Sequence, residues 1–134
     1  MTSRGRAKDW WAQAENDLLW AKDSLSHGHF AQTCFIAQQV AEKALKSLAL
    51  HQGYEKVKSH AISTITKELK INGELEIMGK KLDLYYISSR SPDAFTEGAP
   101  FEFFTEDQAR EAISFADKFL EKIRALFKQE KEQE

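Results

Sequence analysis

The feature that most limits the fold of this chain is how few residues interrupt a helix. Only two prolines occur in 134 residues, Pro92 and Pro100, and they lie close together. On both sides of them, apolar residues recur at steps of three and four, which is the pattern of one buried helix face. No segment alternates apolar and polar residues over a useful length, as a half-buried strand would. The sequence therefore predicts an all-α protein.

The first half of the chain predicts two long helices. They cover about 9–26 and 29–52, and Gly28 and Gly53 follow them as natural stops. Because the connection between them is only one or two residues long, the two helices must lie antiparallel as a hairpin.

A short third helix and a longer fourth helix are predicted next. Ser59 can cap the third helix, and the Asn72–Gly73 turn separates it from the fourth. Gly79 lies inside the fourth helix and should weaken it by about 1 kcal/mol relative to alanine.

The last part of the chain predicts an irregular segment followed by one long helix. Both prolines fall in 87–104, and Thr105 with Gln108 forms a capping box for a fifth helix that runs to about residue 128. The expected architecture is an antiparallel up-down four-helix bundle plus one short helix. We expect one domain over 1–134, with frayed tails at 1–8 and 129–134.

Composition excludes several classes of protein. The chain has 19 basic and 21 acidic residues, so no strong overall field attracts it to nucleic acid. No run of 18 apolar residues occurs, so no membrane-spanning helix is predicted, and the basic start has no apolar stretch of a secretory signal behind it. We therefore expect a cytoplasmic protein that does not associate with membranes.

Metal, cofactor and nucleophile signatures are weak. The histidines do not have the three- or four-residue spacing of a zinc site on a helix, so we predict no metal. Cys34 lies on an apolar helix face, where a buried, inert thiol is expected. No phosphate-binding glycine loop and no serine-nucleophile elbow occurs, and no cofactor is predicted. The four histidines are His27, His29, His51 and His60.

The second helix carries a polar stripe at steps of three and four. It consists of Gln39, Glu42, Lys43 and Lys46. One interpretation is a solvated face with a Glu42–Lys46 pair worth a few tenths of a kcal/mol. The other follows from the alanines around the stripe, which let another helix approach closely, so that the polar groups become half-buried and hydrogen-bonded.

A second polar set follows the fourth helix. Tyr85, Tyr86 and Arg90 end the helix, and Asp93 lies in a Ser-Pro-Asp turn. Arg90 can complement the helix C-terminus, and Asp93 can stabilise the turn. Alternatively, Arg90 supplies a planar fork for a phosphate group.

Four segments resemble one family, in the same order and spacing over nearly the whole chain. The clearest are CFIAQQVAEKALK, within 31–48, and LDLYYISSRSPDA, at 82–94. The others are 9–18, which begins DWW, and His60-Ala61-Ile62. In these segments the chain resembles the HEPN domain family (higher eukaryotes and prokaryotes nucleotide-binding).

The resemblance implies a five-helix homodimer. Many relatives pair with a minimal nucleotidyltransferase in two-component or toxin–antitoxin systems, and others cut RNA without metal. In those ribonucleases an arginine is followed, after four to six residues, by a histidine at a dimer cleft. The arginine corresponds to Arg90, but positions 95–97 hold Phe95, Thr96 and Glu97. Metal-free cleavage needs a group that moves a proton near neutral pH, and phenylalanine cannot do so.

An independent argument favours association. Trp10 and Trp11 point about 100° apart on a helix and cannot both face one core, so one is expected either on a surface between subunits or as an ordinary exposed side chain.

These observations predict a HEPN-like protein that binds a nucleotide or RNA, forms a homodimer and partners a nucleotidyltransferase, without ribonuclease activity. One alternative is a ribonuclease toxin in which a displaced histidine, His60, works with Arg90. The other is a non-catalytic helical adaptor. The expected ligand-binding residues are Arg90, Asp93, Gln39, Glu42, Lys43, Lys46, Tyr85 and His60.

Overall fold

The protein is all-helical in the part that the structure describes. This structure, a computed structural model, describes the backbone of residues 3–133 and the side chains of 5–130. The helices are α1 (Ser3–Ser26), α2 (Phe30–His51), α3 (Ile62–Glu68), α4 (Glu74–Asp83), α5 (Tyr85–Ser88) and α6 (Glu106–Gln133), with 3₁₀ turns at Pro92–Ala94 and Pro100–Glu102.

Helices α4 and α5 are two parts of one interrupted helix. Leu84, the single residue between them, keeps near-helical angles of φ −61° and ψ −24°. When the two parts are counted together, the described residues form the five helices that the sequence predicts. The all-α prediction is confirmed.

The central element of the core is α2. Sixteen of its 22 residues are buried, and α1, α3, α4 and α6 all pack against it. Small residues allow this close approach: the hydroxyl of Ser47 on α2 donates to the carbonyl of Ala7 on α1 at 2.7 Å. The polar side chains of α2 therefore lie within a packed bundle, and several of them are enclosed.

Both terminal helices are longer than the sequence predicts. Helix α1 begins at Ser3, and α6 continues to Gln133, so the described parts of the expected frayed tails are helical. At the first end, Ala7 is buried against α2. At the other, Gln52 donates to Glu130 at 2.7 Å. Residues 1, 2 and 134 lie outside the described residues.

The cap of α3 comes from another helix. The predicted cap, Ser59, accepts from the backbone N–H of Ala61 at 3.0 Å, just before the helix starts. The backbone N–H groups of Ile62 and Ser63, in the first turn of α3, donate instead to the carboxylate of Asp83, at 2.6 and 3.0 Å. A carboxylate at a helix N-terminus satisfies free donors and complements the dipole. Asp83 thus joins the start of α3 to the end of α4.

The predicted cap of the last helix is confirmed. The backbone N–H of Thr105 donates to the side-chain oxygen of Gln108 at 2.9 Å, and the N–H of Gln108 donates to the Thr105 hydroxyl at 3.3 Å. These two bonds form the reciprocal pattern of a capping box.

Gly79 allows close contact between α3 and α4. A methyl group at this position would lie 2.7 Å from Cγ2 of Ile62, a side chain that is fully buried. Helix propensity alone predicts that Gly79→Ala stabilises the chain by about 1 kcal/mol, but overpacking a core costs about 1–3 kcal/mol. We expect a net loss of about 1 kcal/mol in urea denaturation. An increase in stability would contradict this packing.

The tryptophans of α1 differ in exposure. Trp11 packs edge-on against Phe127, with ring centroids 5.5 Å apart, and Trp10 is half-buried. The most exposed tryptophan is Trp20, at 58%. No helix within the described residues is both long and apolar enough to cross a lipid bilayer.

Large apolar side chains are exposed on both sides of Arg90 in the sequence. Leu84 and Ile87 precede it with exposures of 72% and 51%, and Phe101 and Phe103 follow it with 67% and 48%. We call these four residues the apolar patch. Half of the eight large apolar side chains that are exposed among the described residues fall in this stretch of the sequence, and exposed apolar surface is typical of interaction sites.

Candidate functional site

Arg90 is held in place by its own helix and by two aromatic rings. Its Nε donates to the backbone carbonyl of Tyr86 at 2.8 Å. The guanidinium carbon lies 4.6 Å from the centroid of the Tyr86 ring and 4.8 Å from that of Phe35 on α2. The side chain is exposed. Within the described residues, its two terminal nitrogens have no hydrogen-bond or carboxylate partner, so they are available to a ligand.

His60 contacts the same tyrosine. Its ring is stacked on Tyr86 with the centroids 5.5 Å apart and the planes 12° from parallel. The fold therefore brings His60 and Arg90, which are distant in sequence, to one ring. Among the described residues no hydrogen bond joins the two. We call Arg90, Tyr86, Phe35 and His60 the arginine ledge.

Glu42 is buried behind the arginine ledge. One carboxylate oxygen, Oε2, accepts from Nζ of Lys46 at 3.0 Å and lies 3.3 Å from Nδ1 of His60. The side chains of Glu42 and Lys46 are only 4% and 8% exposed. The other oxygen, Oε1, is buried and has no hydrogen-bond partner within the described residues. The solvated-stripe interpretation is therefore wrong for this pair, because the alanine-lined packing encloses it.

Gln38 and Gln39, two of the three glutamines of α2, hold the chain segment that carries His60. The side-chain amide of Gln38 donates to the backbone carbonyl of His60 at 3.0 Å. Gln39 donates in turn to the side-chain oxygen of Gln38 at 2.7 Å. These bonds fix the segment before α3 against α2 and so support the position of the imidazole.

The two lysines of the predicted stripe have partners away from Arg90. Lys43 forms an ion pair with Asp17 of α1, which also accepts from Gln13 at 2.8 Å. Lys46 lies over the ring of Trp10, with Nζ 5.5 Å from its centroid. Neither lysine belongs to the arginine ledge.

Two other predicted residues lie outside the arginine ledge. Tyr85 packs edge-on against Phe104 at 5.5 Å, and burial raises the pKa of its hydroxyl. The tyrosine beside Arg90 is Tyr86. Asp93 is exposed on the 3₁₀ turn Pro92–Ala94, and its side chain forms no hydrogen bond or ion pair within the described residues.

The position expected for a ribonuclease histidine is occupied by an aromatic cluster. Phe95 is stacked on Phe103, with centroids 4.7 Å apart and planes 13° from parallel. This stack contains no group that transfers a proton.

The remaining residues considered for nucleophilic chemistry or metal binding lie outside the arginine ledge or form no cluster. Cys34 is buried, and this burial, with a smaller contribution from Glu111, raises the pKa of its thiol to about 12. It is the inert thiol that the sequence predicts. Among the described side chains, no group of three or more His, Cys, Asp or Glu is arranged to hold a metal ion.

Sequence reasoning missed Phe35, Asp17 and the choice between the two tyrosines. Phe35 is followed at steps of three, four and four by Gln38, Glu42 and Lys46, so a longer stripe was visible. Asp17 lies next to Leu18 on the apolar face of α1 and is only 4% exposed. Tyr86 lies four positions before Arg90, a spacing that places two side chains on one helix face, so a local signal for Tyr86 was present in the sequence.

Comparison with known proteins identifies the family of this chain. The family model described as HEPN domain matches residues 7–126. A relative named putative toxin MJ1304, from Methanocaldococcus jannaschii, is 27% identical over 129 residues, covering 87% of this chain and 85% of the relative.

Similar solved structures have the same fold. The crystal structure of TT1696 from Thermus thermophilus superposes with a TM-score of 0.85 at 37% identity, covering 90% of this chain and 97% of that one. ST0689, described as an archaeal HEPN homologue, gives 0.75 at 36% identity, covering 90% and 97%. A HEPN domain protein from Thermotoga maritima gives 0.69 at 26% identity, covering 90% and 98%. This chain belongs to the HEPN domain family.

Proposed function

We propose that this protein binds single-stranded RNA through the arginine ledge and does not cut it. The observation that carries the proposal is the exposed guanidinium of Arg90, held over the rings of Tyr86 and Phe35 at 4.6 and 4.8 Å with its terminal nitrogens unpaired among the described residues. A guanidinium offers a planar pair of donors that fits a phosphate group. Unstacked RNA bases stack on aromatic side chains and on guanidinium planes.

The Arg90 side chain is preorganised, which favours binding of a ligand. The bond from Arg90 Nε to the Tyr86 carbonyl fixes the fork before a ligand arrives, so less side-chain freedom is lost on binding. His60, which is stacked on Tyr86, adds a third ring to the arginine ledge.

The proposal excludes cleavage because of Phe95. Attack by a 2′-hydroxyl requires a group that removes its proton near neutral pH, for which histidine is suited. The positions where related ribonucleases have that histidine hold Phe95, Thr96 and Glu97, and Phe95 is stacked on Phe103.

We further propose that the protein acts as a homodimer paired with a minimal nucleotidyltransferase, in a two-component or toxin–antitoxin system. Two observations support this. The apolar patch lies on both sides of Arg90 in the sequence, so an interface there would bring two arginine ledges near one cleft. In addition, the relative from Methanocaldococcus jannaschii is named a putative toxin. A nucleotidyltransferase encoded beside this chain would support the pairing.

Replacing Arg90 tests the RNA-binding proposal. We expect Arg90→Ala to weaken binding of a fluorescent single-stranded RNA by about 10- to 100-fold, because charged hydrogen bonds are worth about 1.5–3 kcal/mol. Arg90→Lys should recover only part of the affinity, since it keeps the charge without the fork. Fluorescence anisotropy at fixed salt measures both.

The matched control is Arg110→Ala. Arg110 is also exposed but pairs with Glu106 at 2.8 Å on α6, so its loss changes net charge equally without touching the arginine ledge. Equal weakening by both variants would mean that charge alone governs binding, which contradicts the proposal. No RNA binding by a folded wild-type dimer would favour the helical adaptor.

A second candidate function is metal-free RNA cleavage by His60, favoured by one observation. The buried carboxylate of Glu42 lies 3.3 Å from Nδ1 of His60, and a carboxylate at this nitrogen orients the ring and leaves Nε2 as a base. Lys46 competes for the same oxygen, which weakens the arrangement. Cleavage abolished by His60→Ala and by Arg90→Ala, but retained by His27→Ala, would favour this candidate.

A further inference from the structure

We propose that a cavity at one end of the bundle binds a small aromatic carboxylate. The cavity has a volume of about 310 Å³ and lies where the start of α1, the end of α2 and the end of α6 meet. Its lining residues are Ala7, Lys8, Trp11, Ser47, His51 and Phe127. Within the described part of the chain, the lining shares no residue with the arginine ledge or with the Glu42–Lys46 pair. His51 is about 24 Å from Phe35 along α2, at about 1.5 Å per residue.

Three rings line the cavity. The ring of Phe127 is nearly perpendicular to those of Trp11 and His51, at 87° and 81°, with centroids 5.5 and 5.0 Å away. The guanidinium carbon of Arg124 lies 5.5 Å from the centroid of the Trp11 ring and helps to hold it in place. Aromatic pairs favour such edge-to-face contacts, with centroids about 4.5–7 Å apart. An aromatic ring in the cavity would extend the same packing.

The size of the cavity limits the ligand. Its volume is near the lower end of the range for ligand sites, about 300–1,000 Å³. Ala7 and Ser47 are both buried, and the Ser47 hydroxyl donates to the Ala7 carbonyl at 2.7 Å. This bond joins α1 to α2 at the cavity and opposes its widening. We therefore expect a ligand of one or two fused rings.

The unpartnered polar groups of the lining are hydrogen-bond donors. The exposed ammonium of Lys8 carries three donors and has no carboxylate or hydrogen-bond partner among the residues that the structure describes. The indole N–H of Trp11 can only donate, and it too lacks a hydrogen-bond partner there. Hydrogen bonds to an ionised acceptor are the stronger ones. A carboxylate on the ligand would accept from both groups.

The charges around the cavity favour a single negative charge. Lys8 is the one lysine or arginine among the described lining residues. The nearby carboxylate of Glu130 accepts from Gln52 at 2.7 Å and lies 3.2 Å from Nε2 of His51. A phosphate ester would bring a charge of about −1.5 to −2 to this one cation and close to that carboxylate. A carboxylate brings a single charge and matches the cation.

The test is an isothermal titration of the whole chain with 2-naphthoate. We expect saturable binding. The alcohol 2-naphthalenemethanol has the same rings and no charge, and it should bind about tenfold or more weakly, because hydrogen bonds to a charged acceptor are lost. This comparison uses the unaltered protein, so it does not depend on how a variant folds.

Two variants locate the ligand in this cavity. Lys8→Gln should weaken naphthoate binding by about three- to fivefold, as expected for the loss of an ion pair that water reaches. Trp11→Phe keeps a ring and removes the indole N–H, and it should weaken binding by about fivefold or more through the lost hydrogen bond. The matched control is Lys67→Gln. It removes the same charge beside a groove with no aromatic residue in its described lining and should leave binding unchanged.

Five outcomes would overturn this inference. The first is no saturable binding by the unaltered protein. The second is equal affinity for the acid and the alcohol, which would leave no role for the donors. The third is that Lys8→Gln or Trp11→Phe binds as tightly as Lys67→Gln. The fourth is loss of naphthoate binding in Arg90→Ala, which would assign the ligand to the arginine ledge. The fifth is a fall in mass by light scattering at saturating naphthoate, which would mean that a second copy of this chain occupies the cavity.

Discussion

Lys46→Met is expected to lower the free energy of unfolding by about 3–5 kcal/mol, because removing one member of a buried ion pair leaves the other charge uncompensated. Lys46 and Glu42 are 8% and 4% exposed, and Oε1 of Glu42 already lacks a partner among the described residues. Methionine replaces most of the lysine stem, so lost packing is a minor part of the cost. Urea denaturation measures the change.

Two controls separate burial from side-chain loss. Glu42→Gln/Lys46→Met removes both charges and should recover most of the stability, since the remaining amide is neutral. Lys22→Met makes the same substitution in an exposed pair with Asp117 and should cost less than about 1 kcal/mol. If Lys46→Met were as mild as Lys22→Met, water would reach Glu42 and the enclosed arrangement on α2 would be wrong.

Leu84→Asp/Ile87→Asp is expected to convert the proposed dimer to monomer. Burying each apolar side chain is worth about 1.5–3 kcal/mol, and a two-fold interface contains every residue twice. The substitution would also bring four carboxylates into the interface. We expect the dimer to dissociate more readily by at least about 100-fold, at about 1.4 kcal/mol per tenfold. Light scattering measures the mass against the 15.4 kDa of one chain.

The matched control for the dimer is Leu19→Asp. Leu19 is 67% exposed, but it lies on α1 and is not part of the apolar patch. It should leave the mass unchanged. A dimer that survives Leu84→Asp/Ile87→Asp and dissociates in Leu19→Asp would place the interface on α1 and contradict the shared cleft around Arg90.

Local rules were sufficient to predict most of the fold. The spacing of apolar residues predicts the helices, and the capping box at Thr105 and Gln108 depends only on residues three positions apart. The cap of α3 was not predictable in this way, because Asp83 reaches it from the end of α4. Helix α1 begins before the predicted start because Ala7 packs on α2, a contact that local spacing does not report.

The candidate site was predicted only in part, because Phe35 and Tyr86 were not among the expected ligand-binding residues and the grouping was not predicted. The sequence singles out Arg90 and His60, but only the fold brings both to the ring of Tyr86. The stripe on α2 is read equally well as solvated or enclosed until its neighbours are known, and the structure encloses Glu42 and Lys46. Whether the stripe is solvated or enclosed depends on packing between helices, so the spacing of residues along one helix could not predict it.

The most direct test of the central claim reads binding and cleavage from the same sample. A labelled single-stranded RNA is incubated with the wild type, Arg90→Ala and Arg110→Ala in buffer with a metal chelator, then divided between a retardation gel and a denaturing gel. We predict that the wild type and Arg110→Ala retain RNA that stays intact, whereas Arg90→Ala does not retain it. RNA cut by the wild type into fragments with 2′,3′-cyclic phosphate ends, and left uncut by Arg90→Ala, would contradict the account.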